Sequence, residues 1–307
     1  MKDRAGLTLF ALLEMSLWYS GAMQVFQVDR RTAVALMVSV LSAYVTAEPG
    51  ATASCLEVQG QLVQGGLIWG RVAPGSKVSL DGQPLEVLAD GTTFAGFGRN
   101  AGSKAELRVE GADNCSQTLH IIKREYTIQR VEGVPSRTVT PPKKQLDRIA
   151  RERALVAAAK GQRIDRPDIL KATLAGLVWP VQGPISGVYG SQRVYNGKPG
   201  SPHYGVDVAV PTGTSVHAPA PGVVTLAEGD LFYSGGTVIL DHGYRLSSSF
   251  LHMSKVTVAV GQVIAAGDPI GEVGATGRAT GPHLDWRMSW GPHRIDPQLL
   301  VPTMPKS

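Results

Sequence analysis

Two short segments hold side chains whose types and spacing suit metal-dependent hydrolysis: His203-Tyr-Gly-Val-Asp207 and His283-Leu-Asp285. The valines and glycines around Asp207, with Val-Ala-Val-Pro behind it, predict a strand, so side chains alternate with period two and His203 and Asp207 should project from one face. His283 and Asp285 are two residues apart, a spacing that shares a face on a strand and not on a helix. Imidazole and carboxylate are groups that a divalent zinc ion takes as ligands, and a catalytic site leaves one coordination position open for water. A third histidine, His252, stands in Ser249-Phe-Leu-His-Met-Ser254, among alternating polar and apolar residues. One His–Asp pair alone is more often a satisfied polar pair than a metal site; the two pairs together carry the reading.

Ser186-Gly-Val-Tyr-Gly-Ser-Gln-Arg193 precedes the first motif and Gly274-Ala-Thr-Gly-Arg-Ala-Thr-Gly-Pro-His283 leads into the second. With them, residues 176–303 resemble the lysostaphin/LytM-type zinc metallopeptidases, peptidase family M23, whose signatures are His-x-x-x-Asp and a later His-x-His. The resemblance implies one zinc ion, with His203 and Asp207 as two of its ligands. The family's third protein ligand, the last histidine of His-x-His, falls here on Asp285. His283 and His252 correspond to the pair that polarises water and stabilises the tetrahedral intermediate. Tyr189 and Arg193, on the loop before His203, are expected to line the substrate groove. Asp285 departs from the pattern, leaving one histidine and two aspartates. Oxygen also ligates zinc, so the site survives the exchange. The extra negative charge should make the bound water less acidic and favour harder ions such as manganese.

The resemblance further implies an exported zinc endopeptidase that hydrolyses the peptide cross-links of bacterial peptidoglycan, in the periplasm or cell envelope. The alternative is a LytM-like module without turnover that binds wall or activates another hydrolase; Asp285 is the feature in its favour.

At 307 residues the chain is long enough for two domains. Its glycines, prolines and recurring Val, Thr and Ile favour β structure with tight turns. The fold is expected to be mainly β: a small N-terminal β-sandwich-like domain, a helical linker and a C-terminal LytM-like antiparallel catalytic domain. A formal charge of +5 is modest, and the basic residues gather in the connecting stretch without interleaved aromatics, which argues against a nucleic-acid platform.

Residues 1–47 read as a leader. Arg30-Arg31 precede the apolar run 32–45, and Val45-Thr-Ala47 forms a small-residue cleavage site. The run is short of the ~20 residues that span a bilayer, so no stable membrane insertion is expected after cleavage. A start at Met23 would place the two arginines in an ordinary n-region. Cys55 and Cys115 are the two cysteines, and in an oxidising compartment they predict one disulfide.

Residues 48–130 form the accessory domain, with strand-like runs at 63–69, 77–80, 85–88, 106–109 and 118–121. Asp81-Gly82 and Asp90-Gly91 are hairpin-turn pairs. His120 stands alone there. Residues 131–175 are a linker, with a proline-punctuated break at 135–142 and an amphipathic helix over 143–160 that is expected to contribute little to chemistry. An irregular path then leads to Trp179-Pro180. In the catalytic domain 213–224, 237–241, 245–251 and 262–273 read as strands. His217 and His293 read as structural or exposed, and His242, in an Asp-His-Gly turn, as a support for the sheet beneath the site.

Overall fold

The computed structural model describes residues 55–111, 114–132 and 143–305. The expected leader, its cleavage point after Ala47 and the proline-punctuated break lie outside the described residues.

The N-terminal region builds two small antiparallel sheets from short, turn-punctuated strands: β1 (Gln59–Gly60), β2 (Leu67–Arg71), β3 (Lys77–Leu80), β4 (Gln83–Leu85), β5 (Thr92–Gly96), β6 (Lys104–Glu110) and β7 (Cys115–His120). Their orders are β1-β2-β5 and β4-β3-β6-β7. Asp81 and Gly82, at φ of 49° and 76°, make the tight β3–β4 turn expected of an Asp-Gly pair. Alternation is plain in β6, where Ala105, Leu107 and Val109 are buried between exposed neighbours. These side chains meet Ile68 and Ala95 of the other sheet and Phe97 just after it, which gives the sandwich its core. Cys55 is disulfide-bonded to Cys115, with their Cα atoms 5.7 Å apart. The run 85–88 is not a continuous strand: β4 ends at Leu85 and Val87 makes only an isolated bridge to Thr93 of β5, a strand that composition did not mark and that pairs with β2.

The C-terminal region contains β8 (Ile128–Val131), α1 (Leu146–Gly161), α2 (Pro167–Ala175), β9 (Ile185–Gly187), β10 (Gln192–Tyr195), β11 (Lys198–Pro199), β12 (Val206–Val208) and β13 (Ser215–His217). It continues through β14 (Gly222–Leu231), β15 (Gly235–Asp241), β16 (Leu246–Met253), β17 (Lys255–Val256), β18 (Val263–Ile264), β19 (Pro269–Glu272), β20 (Leu284–Trp290) and β21 (His293–Ile295). The principal sheet runs β18-β14-β15-β16-β20-β12-β9, with β21 also on β20. The expected strands 213–224 and 262–273 are each broken in two, because Pro219-Ala-Pro-Gly222 and Ala265-Ala-Gly-Asp268 turn the chain.

One face of this sheet is apolar. Val238, Leu240, Phe250, Met253, Leu284, Trp286 and Met288 are buried there, and Leu67, Leu88 and Phe94 of the N-terminal region enter the same core. Phe94 meets Trp290 edge to face at 5.8 Å. β8 pairs in parallel with β10. The other face carries polar side chains. Cross-strand register aligns Asp207 with Asp285, Arg287 with Ser249, and Ser289 with Ser247.

Helix α1, expected as part of the linker, packs over this polar face. Val156 and Ala159 bury against Leu226, Leu231 and Ile239, the last directly across from Ser249. Arg148 reaches Asp230 at 3.0 Å, and Glu152 accepts the Phe232 N–H at 2.8 Å. The path after Arg163 is not irregular throughout. Pro167 starts α2, whose Leu170 and Leu174 enter the main core.

Candidate metal centre and adjoining groove

Asp207 and Asp285 face each other across the β12–β20 pair. Two carboxylates directly opposite on adjacent strands repel, so the arrangement calls for a cation between or beside them. His203 meets them there: its Nε2 lies 3.1 Å from Asp207 Oδ1 and 3.5 Å from Asp285 Oδ1. One ligand-competent atom from each of the three lies within 4.8 Å of the other two. His203 Nε2 and Asp207 Oδ1 are buried, yet their mutual geometry is not that of a hydrogen bond. Two such buried atoms converging outside hydrogen-bond geometry fit a divalent ion that would displace the Nε2 proton, and the His/Asp/Asp donor set suits zinc.

His203 reaches this point from a loop, not from a strand as its neighbours suggest. β12 begins only at Val206. The His203 N–H donates to the Ser191 carbonyl at 2.7 Å, and its own carbonyl accepts the Gly190 N–H at 2.7 Å. Gly205 explains the tight approach that follows: a Cβ there would stand 2.6 Å from both Asp285 Oδ1 and Arg287 Cγ.

The three site histidines share one orientation. Nδ1 of His203 faces the Val188 carbonyl at 3.3 Å, that of His252 the Thr276 carbonyl at 2.8 Å, and that of His283 the Gly281 carbonyl at 2.8 Å. A carbonyl can only accept, so each ring carries a proton on Nδ1, which leaves Nε2 as the nitrogen that faces the site. The His252 and His283 rings lie 4.8 Å apart, and His283 Nε2 is 4.0 Å from Asp207 Oδ1. His252 is on this face because of a bulge. Phe250 and Met253 both enter the core with two residues between them, opposite Thr237 alone on β15. His252 takes up the surplus at φ 66°. Such a conformation in a non-glycine residue costs about 1–3 kcal/mol and marks functional sites.

Arg287 is the site residue that motif reading missed. Its Nε lies 2.9 Å from Asp285 Oδ1 and 3.0 Å from Oδ2. Burial opposes ionisation of Asp285, but the Arg287 and His203 charges hold its carboxyl well below the usual range. Burial likewise disfavours protonated His203, while the flanking Asp207 and Asp285 carboxylates raise its pKa to about 10. Burial lowers the pKa of His252. The expected excess of negative charge is thus corrected: Arg287 offsets Asp285, leaving the pair as close to neutral as the imidazole it replaces. The shift toward harder ions, which followed from that excess, loses its basis.

Tyr189 and Arg193 stand apart from this constellation. Tyr189 is buried, its hydroxyl donating to the Arg294 carbonyl at 2.7 Å, and it serves packing rather than a groove wall. Arg193 is exposed on β10 and donates to Gln129 Oε1 at 3.1 Å. His242 is fully buried between the Pro221 carbonyl and Ser248 Oγ, a support beneath the sheet as its turn suggested. His293 stacks on Trp290. His217 is bonded to the Gly267 carbonyl.

Residues 201–297, which contain all five site residues, match Peptidase family M23. A solved structure from Pseudomonas aeruginosa assigned to peptidase M23 is 30% identical, with a TM-score of 0.58 over 78% of this chain and 95% of its own. The chain belongs to peptidase family M23. Among curated M23-like relatives, the peptidoglycan DD-endopeptidase ShyA of Vibrio cholerae is 41% identical over 88 residues, 29% of this chain and 20% of its own length. The DD-carboxypeptidase/endopeptidase Mpg of Neisseria meningitidis is 37% identical over 102 residues, 33% of this chain and 23% of its own. The chain therefore covers about a fifth of the length of these relatives.

Proposed function

We propose that the chain is an exported zinc metalloendopeptidase that hydrolyses peptide cross-links in peptidoglycan. The observation that carries this reading is the convergence of His203 Nε2, Asp207 Oδ1 and an Asp285 oxygen, with the His252 and His283 rings close together beside them. The substrate class is supported by the wall-hydrolase relatives.

His203, Asp207 and Asp285 would hold the ion. Zinc so bound supplies Lewis-acid polarisation of the scissile carbonyl and acidifies water. His283 and His252 turn Nε2 toward the site, suited to accept the proton of the attacking water and return it to the leaving amine. Once protonated, the same rings are donors for the oxyanion of the tetrahedral intermediate. The depressed His252 pKa keeps that ring neutral at pH 7, as a base requires. Digestion of purified sacculi tests the reading: release of muropeptides cut at a peptide cross-link is expected, and intact sacculi after zinc loading would overturn it.

One observation favours the regulatory reading. Arg287 engages both Asp285 oxygens, the partner set of a plain ion pair. A purified protein that takes up no metal and stimulates a second hydrolase would establish that reading instead.

A further inference from the structure

Three basic side chains gather on the polar face beyond Asp285. Arg287 and Ser289 follow it at two-residue steps on β20, and Arg294 lies directly across from Ser289 on β21. Helix α1 contributes the third: Lys160 Nζ is 3.3 Å from Ser289 Oγ, which is itself 3.2 Å from Ser247 Oγ. Lys160, Arg287 and Arg294 are each only partly buried, with 31% of the Arg287 side chain exposed. Burial first, then the Arg294 and Arg287 charges, holds the Lys160 ammonium well below its usual range. Asp285 is the one carboxylate bonded to any of the three among the described residues, and it is a candidate metal ligand. Ser249 Oγ, across from Arg287, is buried with no hydrogen-bond partner. Lys160 and Arg294 have no carboxylate partner among the described residues and Arg287 has only Asp285, so a carboxylate placed above the serine floor would supply counter-charge and restore the Lys160 ammonium.

We infer that Lys160, Arg287 and Arg294 form a subsite for a carboxylate of the peptide substrate, beside the reacting centre and roofed by α1. Arg287 and Ser289 lie about 7 and 13 Å along the strand from Asp285 at ~3.3 Å per residue. The carboxylate should therefore stand about two to four residues of extended peptide from the cleaved bond. The subsite rests on the reading of this groove as a peptide site, and it gives the linker helix a part in substrate selection.

The test uses the full chain and the pentapeptide L-Ala-D-isoGlu-L-Lys-D-Ala-D-Ala, which carries a C-terminal and an internal carboxylate. Each is amidated in turn, and binding is followed by calorimetry with and without zinc. Amidation of one of the two should weaken binding about tenfold or more, the usual worth of a charged hydrogen bond; which one identifies the carboxylate. Lys160→Met and Arg294→Met should weaken binding of the free acid similarly and leave the matching amide and the zinc content unchanged. Equal binding of all three peptides by the wild-type protein would overturn the subsite without recourse to any variant. So would tighter binding of the free acid by Lys160→Met, which would make α1 an obstruction. Carboxylate discrimination by a protein that cuts no sacculi would leave the subsite standing and remove the peptidase reading; sacculus cleavage without discrimination would do the reverse.

Discussion

At the scale of single residues, the exchange of histidine for aspartate at position 285 is intelligible only together with Arg287. Asp285 is 2% exposed, and Arg287 shares its face of β20. Restoring the family ligand by Asp285→His alone would strand Arg287 without its carboxylate, at a cost of ~3 kcal/mol, the low end for a buried pair because Arg287 retains some water. The double variant Asp285→His/Arg287→Met should recover that loss and bind zinc at least as tightly as the wild type. Denaturant unfolding and zinc competition check both halves; a single variant as stable as the double one would contradict the compensation. Gly205 is the second sensitive point. Gly205→Ala must push Asp285 or Arg287 aside, and zinc affinity should fall tenfold or more, the scale of a lost ligand-orienting contact. An unchanged affinity would show that the loop yields freely.

At the scale of elements, α1 and α2 belong to the fold of the catalytic region. A fragment beginning near Leu170 loses Val156 and Ala159 from above Leu226, Leu231 and Ile239, and cuts into α2, whose Ile169 and Leu170 are buried. Each buried aliphatic side chain contributes about 1.5–3 kcal/mol, so several lost together exceed much of a domain's net stability. That fragment should show no cooperative melt, whereas one beginning at residue 55, which keeps both helices and the Leu67, Leu88 and Phe94 contacts, should.

The turn after β15 gives a pH dependence. Burial raises the Asp241 pKa to about 7, while burial lowers that of His242 to about 4. Asp241 binds its proton more tightly when folded, so its contribution is complete below pH ~4 and is lost as pH rises through 7, to the extent of ~4 kcal/mol. His242 binds its proton less tightly when folded, so its contribution is complete above pH ~6.5 and is lost as pH falls toward 4, by ~3 kcal/mol. The two oppose each other in the wild type. Asp241→Asn keeps an oxygen for the Gly243 N–H and removes one of the two slopes. Its stability in urea should fall steeply from pH 6.5 to 4; a flat profile would contradict the assignment.

Across the whole molecule, what could be read in advance was what short-range chemistry dictates. His203, Asp207, His252, His283 and Asp285 stand in recognisable spacings, and Asp81-Gly82 demanded its turn. What escaped depends on distant partners. Arg287 looks in the chain like any solvated arginine until β12 brings Asp207 beside Asp285. The bulge that swings His252 outward is set by Gly236 and Val238 on the neighbouring strand, not by residues around the histidine. α1 presents mostly alanine and arginine, so only its docking shows which narrow stripe is buried. α2 is nine residues long, too short for periodicity to stand out despite Pro167 and Asp168 at its start. The separation into an accessory and a catalytic region is likewise softened by Leu67, Leu88 and Phe94, which lie in the main core.

The most direct test of the account is the zinc content of the purified full chain beside that of Asp285→Ala, His203→Ala and His252→Ala, all dialysed against the same buffered zinc. The account predicts one zinc per chain in the wild type and in His252→Ala, near-complete loss in Asp285→Ala and His203→Ala, and loss of sacculus hydrolysis in all three variants. Full zinc occupancy in Asp285→Ala would remove Asp285 from the metal site, leave it as the partner of Arg287 alone and contradict the account.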